Sequence, residues 1–413
     1  THSRGATLAS YAQVLDPTGR RLSVTEHNGR SVSYSYDALY RLTGETVAGD
    51  PAAAANGAIT YTYDPVANRL SRASTLATVL SATSAYDAND RLTAEAYDAN
   101  GNTRAANGIT WTYDFEDRIR SANGGAIRIV YDGDGNRVAK TVGGVTTRYL
   151  VDDLSPTGYS EVVEELVAGS VQRVYTYGNR LISQNQRRNG GWQASFYGLD
   201  AYGSVRFLTD SGGAVTDTYA YDAFGILTSS TGTTPNHYLF NAQQYDHDLG
   251  LYFKRARYYS QDRGRFMTMD PVPGRHDAPV SLHRYLFGHA DPVNRIDPCG
   301  TMAIEYAGNL RVIGAAVAEA TLLSLRISCT FYRVASFIDP SIIPYIPALF
   351  RGCIGRRDDE DDECEAQYDA DVEICYSLPN KYRQQRCFAS ASLRRGNCVA
   401  GRPNFPALDT GRY

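Results

Sequence analysis

TYTYDPVANRLS, from Thr60 to Ser71, is the stretch on which the reading of this chain turns. Thr60-Tyr61-Thr62-Tyr63 alternates between two residue types, the period of a strand with one face packed and the other wet. Asp64 opens a polar turn, and Arg69-Leu70 begins the return strand. One such hairpin cannot bury its aromatic face by itself, so it must stack on neighbours of the same kind.

Neighbours of that kind fill the first 244 residues. SVSYSYDALYRLT (Ser31 to Thr43), AYDANDRLT (Ala85 to Thr93) and AYDANGNT (Ala96 to Thr103) repeat the unit. TWTYDFEDRI (Thr110 to Ile119) and IVYDGDGNRV (Ile129 to Val138) follow, with looser copies in VYTYGNRLIS (Val174 to Ser183) and YAYDAFG (Tyr219 to Gly225). The turn residues are Asn, Asp and Gly, which tolerate positive φ and cap turns with their own side chains. A long antiparallel sheet is expected. An ordinary β-sandwich is the alternative, but sandwiches rarely place one dipeptide at the same point of every hairpin. Asp132-Gly-Asp-Gly-Asn136 looks like a calcium loop yet lacks the later acidic ligand, so a tight turn is expected there.

Composition agrees with a sheet protein. The 413 residues include 31 tyrosines against 13 phenylalanines, and tyrosine suits half-wet sheet faces. A formal net charge of -4 argues against a general electrostatic nucleic-acid binder. The opening THSRGATLAS has no apolar signal core and reads as mid-repeat, which implies upstream domains.

The Tyr-Asp units, with Gly and Arg-Leu in their places, resemble the YD repeats of Rhs proteins, relatives of the Tc toxin C component and the teneurin shell. The resemblance covers residues 1–300 and implies a mainly β fold, an antiparallel YD-repeat shell or cocoon, over residues 1–244. Residues 245–300 sharpen it. LGLYFKRARYYSQDRGRFMTMDP (Leu249 to Pro271) and DPVNRIDPCG (Asp291 to Gly300) are similar to the Rhs-associated core, which ends on Asp-Pro-x-Gly.

In cleaving members of that family the core is an intramolecular protease that cuts just after this glycine. Carried over by position, Asp270 matches the catalytic aspartate and Arg257 a supporting arginine, with Asp248 a weaker second carboxylate. The cut implied follows Asp297-Pro298-Cys299-Gly300, at Gly300, Thr301 and Met302. A carboxyl group can act there as general acid or base, its protonation set by a partner charge. A close backbone approach explains the glycine. Family members place a bulky apolar residue after it, whereas this chain has Thr301. The other reading is structural: Asp270 and Arg257 as a buried ion pair that holds the core closed. His276, His283 and His289 follow no metal-ligand spacing.

The remaining residues have a different character. Residues 301–355 form an apolar segment with helical spacing in NLRVIGAAVAEATLLSLRIS (Asn309 to Ser328), then prolines at 340, 344 and 347. No uncharged run is long enough to span a bilayer. In residues 356–413, Cys364 and Cys375 have the same separation as Cys387 and Cys398, about three helical turns, so each pair shares a helix face. Pro379-Asn380 marks a turn between them. A helical hairpin stapled by Cys364–Cys398 and Cys375–Cys387 is expected, implying an oxidising compartment, with zinc as the rival. The segment after Gly300 contains no histidine, which removes the usual general base.

The function implied is a shell that carries its own C-terminal segment as cargo, a candidate toxin, and is secreted or held at the cell surface. No cofactor is expected, and no nucleic acid for the shell. The alternative is adhesion, with the aromatic sheet binding glycans or another cell's envelope and a non-toxic tail.

Overall fold

The computed structural model describes residues 2–4, 6–274, 276, 278–301 and 304–305. The expected hairpin tail, with Cys364, Cys375, Cys387 and Cys398, lies outside the described residues, as does Met302. Every strand pairing among the described residues is antiparallel and joins strands consecutive in the chain. The one long sheet expected from the repeats is instead two: a seven-stranded sheet and a fourteen-stranded one. The break falls between Ala82–Thr83 and Ala96–Tyr97, where the unit at Tyr86 keeps its turn but only a single bridge, Tyr86 to Leu92.

The structure explains why the repeat spells Tyr-Asp. In Tyr113-Asp114, Asp114 Oδ1 accepts the N–H groups of Glu116 (3.0 Å) and Arg118 (2.9 Å), and Oδ2 accepts Arg118 Nε–H at 2.8 Å. Asp37 with Arg41 and Asp87 with Arg91 do the same. At Asp64, Asp98 and Asp132 an asparagine amide replaces the guanidinium. Asp132-Gly-Asp-Gly-Asn136 is therefore one of these turns, its carboxylate engaged by Asp134 and Asn136. Each turn ends on a residue of positive φ, such as Ala67 (77°) or Gly135 (83°), and where the unit pairs as full strands a bulge beside it sharpens the twist.

The tyrosine links one hairpin to the one before. Tyr36 hydroxyl donates to the Arg21 carbonyl (2.7 Å), Tyr63 to Leu42 (2.8 Å), Tyr113 to Thr103 (2.6 Å) and Tyr221 to Val205 (2.8 Å). Its ring packs while its hydroxyl satisfies a carbonyl, the pairing that buried tyrosine needs. Asp200 and Asp210 make the same turn without a preceding tyrosine.

Residues 244–266 form a separate four-stranded sheet: Gln244–Asp246, Leu251–Lys254, Arg257–Ser260 and Arg265–Phe266. Repeat strands alternate buried and exposed positions, as in Leu181–Arg188, but Arg257–Ser260 is buried throughout. A strand buried along its length has both faces covered. The core motif supplies residues to all three apolar clusters. Tyr252, Tyr259 and Phe287 join the cluster of Val205 and Leu208, Val293 joins that of Leu42 and Ile59, and Leu251 and Tyr258 join that of Trp111 and Ile129. Ion pairs fasten its turns to the repeats: Arg72 to Asp262, Arg263 to Glu95, and Arg137 to Asp246.

Candidate functional site

The tight turn between Leu251–Lys254 and Arg257–Ser260 faces the segment Asp297 to Gly300, and the two run against each other residue by residue. Lys254 Nζ lies 3.5 Å from the Asp297 carbonyl. Arg255 Nη1 donates to the Pro298 carbonyl at 2.6 Å, and the Ala256 N–H donates to Cys299 O at 3.1 Å. Arg257 Nε–H donates to the Gly300 carbonyl. Four successive residues thus address four successive carbonyls, so the register of this segment is fixed.

Gly300 sits at φ 76°, and a Cβ there would come within 2.3 Å of the Lys254 carbonyl. No side chain other than hydrogen fits without backbone movement. Asp297 caps the segment: Oδ1 accepts the N–H groups of Gly300 (2.7 Å) and Thr301 (3.1 Å), and Oδ2 stands 3.5 Å from Arg257 Nη2.

Arg257 is the hub. Beyond Gly300 its guanidinium donates to Asp270 Oδ2 at 2.5 Å and to the Arg284 carbonyl at 3.1 Å, and it stacks 3.6 Å from the Phe266 ring centroid. Asp270 is held in turn by the Val272 N–H on Oδ1 (2.9 Å) and by a backbone bond from its own N–H to Arg284 O. Burial pushes the Asp270 carboxyl above the ordinary carboxylate range, opposed by Arg257 and aided by the Asp297 charge. Burial likewise lowers the Arg257 guanidinium, against the pull of Asp270 and Asp297. The buried guanidinium and the half-buried carboxylate thus hold each other charged against the cost of leaving water.

Lys254 is more extreme. It has no exposed surface, its Nζ sits among the rings of Phe240, Tyr259 and Phe287, and its polar neighbours lie no nearer than 3.4 Å. Burial lowers its pKa to about 7, although Asp297 pulls the other way.

The structure therefore brings together Arg257, Asp270, Gly300 and Thr301. Asp248 does not join them: its carboxylate, 38% exposed, pairs with Lys140 at 2.9 Å on the fourteen-stranded sheet. The carboxylate that does stand at Gly300 is Asp297, read in the sequence only as part of the closing motif. His283 is hydrogen-bonded to Asn68 and His289 to Arg295.

Repeated Tyr-Asp hairpins packed against a buried, arginine-bearing core motif define a YD-repeat shell protein. The teneurin YD-shell family model matches residues 18–293, and the chain belongs to that family. The tRNA nuclease WapA of Bacillus subtilis (strain 168) is 30% identical over 260 residues, 59% of this chain and 11% of that protein. Salivary gland surface protein 1 of Aedes aegypti is 34% identical over 122 residues, 29% of this chain and 3% of that protein. The chain thus spans a small part of these relatives. Among solved structures, the Tc holotoxin pore of Photorhabdus luminescens matches with a TM-score of 0.58 at 18% identity, covering 72% of this chain and 17% of that one. The TcdB2–TccC3 complex without its hypervariable C-terminal region matches at 0.57 and 17%, covering 71% and 17%. At that identity the likeness is one of fold.

Proposed function

We propose that this chain is part of an encapsulating shell that carries the residues after Gly300 as cargo and frees them by cutting the bond to Thr301. The observation that carries the reading is the one-to-one match of Lys254–Arg257 with the carbonyls of Asp297 to Gly300, ending with Arg257 on the Gly300 oxygen. A cationic donor aimed at that oxygen stabilises the negative charge that develops when the carbonyl is attacked. Asp270, raised by burial, is suited to hold and release a proton, and Asp297 lies against the nitrogen that must leave.

Delivery of a toxic segment is supported by two relatives: the WapA proteins, named as tRNA nucleases, and the Tc holotoxin fold. We infer a location outside the cell or at its surface, which these relatives support. The mosquito salivary gland surface protein supports surface attachment as a second reading.

Intact mass of the denatured chain, compared with Asp270→Asn, tests the proposal. Two masses that divide the natural chain after Gly300, and one full-length mass for the variant, are expected. A single full-length mass for both would leave Arg257 and Asp270 as a structural ion pair.

A further inference from the structure

Thr301 stands where the family places a bulky apolar residue after the closing glycine, and it lies where a hydroxyl has chemical consequences. Its N–H rests on Asp297 Oδ1 at 3.1 Å, and its Oγ1 is 3.2 Å from Cys299 Sγ. Cys299 Sγ in turn lies 4.0 Å from the same Asp297 oxygen. The carbonyl on the other side of the bond is the one that Arg257 Nε–H engages. Hydroxyl, thiol, carboxylate and amide nitrogen thus form a closed loop around a polarised peptide bond, and Gly300 has no side chain to obstruct the carbonyl carbon.

We infer that Thr301 is the nucleophile that opens the Gly300–Thr301 bond, by an N-to-O acyl shift within the chain. The inference rests on the self-cleavage reading and specifies its first step. Thr301 Oγ forms a bond to the Gly300 carbonyl carbon, closing a small ring through Oγ, Cβ, Cα, N and that carbon. Such intramolecular attack avoids the entropy of bringing in a separate nucleophile. As the hydroxyl proton moves to Cys299 Sγ, the thiol proton passes to Asp297. The carbonyl electron pair shifts onto oxygen, where Arg257 holds it. The oxyanion then re-forms the carbonyl, the C–N bond breaks with its electrons on Thr301 N, and Asp297 returns the proton to that nitrogen. The product is an ester, isomeric with the original chain and still covalent. Water then hydrolyses the ester, leaving a Gly300 carboxyl and the restored Thr301 hydroxyl. In this first step Asp270 holds Arg257 in place, and its holding and release of a proton serve the later hydrolysis of the ester.

The test uses the full chain in three forms: natural, Thr301→Val and Thr301→Ser. Valine keeps the shape and removes the hydroxyl, whereas serine keeps the hydroxyl. Cleavage of Thr301→Val is expected to slow by roughly a hundredfold or more, as when a nucleophile is removed, and Thr301→Ser is expected to cut. Hydroxylamine added to the folded natural chain should release a Gly300 hydroxamate, heavier than the free acid by one NH group, from which Thr301→Val yields none. Cleavage of Thr301→Val at the natural rate, with no hydroxamate from the natural chain, overturns Thr301 as nucleophile while self-cleavage stands. A natural chain that neither cuts nor yields hydroxamate overturns both.

Discussion

The repeats and the core motif use the same residue types, arginine, aspartate and tyrosine, in opposite ways. In a repeat turn such as Asp114–Arg118 the pair is local, four residues apart and near the surface, and its work is to shape one hairpin. In the core, Arg257 meets Asp270, Asp297 and the Gly300 carbonyl from well along the chain, out of water. A local pair near solvent is a turn device. A non-local set of partners gathered on one buried guanidinium organises several segments at once, and losing Arg257 strands the buried Asp297 charge. The repeats vary copy by copy, Arg for Asn and Gly for Ala, whereas Arg257 serves four partners at once.

That contrast gives a ranking. Arg257→Ala is expected to cost about 3–5 kcal/mol, the cost of breaking a buried ion pair, and to abolish any cut after Gly300. Chemical denaturation of the full chain measures the first and intact mass the second. A cost below about 1 kcal/mol would place Arg257 among the turn devices.

Lys254→Met should shift stability in the other direction, by about 1–4 kcal/mol in favour of the folded chain, since well-packed apolar residues often outdo buried charge. The effect depends on pH. Folding lowers the Lys254 pKa from 10.5 to about 7, so between these values the unfolded chain binds more protons. The stability of the natural chain therefore rises with pH across that window, and the burial penalty is complete below it. Lys254→Met should lack this slope; an unchanged slope would contradict the assignment.

Glu45 joins the seven-stranded sheet to the turn at Asp222: its carboxyl accepts Tyr61 hydroxyl (2.7 Å) and the Ala223 N–H. Burial, with the Asp222 charge, raises its pKa from 4.5 to about 8. The sign is reversed here, because the folded chain binds more protons, so this contribution falls as pH rises through that range. Glu45→Gln should flatten it in denaturation curves measured across those pH values.

The smallest effect belongs to the repeats. Tyr113→Phe removes one hydroxyl bond to Thr103 and is expected to cost about 0.5–1.5 kcal/mol. A much larger loss would mean that the links between hairpins carry more than their own bond.

These differences also decide what could be read from the sequence. The Tyr-Asp turn was legible because everything that Asp114 touches lies within four residues. The aspartates at 200 and 210 escaped notice because they lack the tyrosine, although glycine three places on, at 203 and 213, was a usable signal. The break into two sheets was not legible, since the unit at Tyr86 has the same letters as its neighbours. In the core, Asp270 and Arg257 were found through a family resemblance, and nothing local ties them together. Asp248 follows from the same resemblance as a second carboxylate, but its partner Lys140 comes from a distant strand. Asp297 was in plain view and read only as a marker of the cut. The run Lys-Arg-Ala-Arg before Tyr258 was the overlooked signal, because four residues that face four carbonyls need that density of donors.

N-terminal sequencing of the smaller fragment from the purified, denatured chain tests the central claim most directly, because register is what the match of residues 254–257 to carbonyls 297–300 fixes. The account predicts one new N-terminus, Thr301, lost in Arg257→Ala and Asp270→Asn. A fragment that begins anywhere else, or a chain that stays whole under conditions where it is folded, would contradict it.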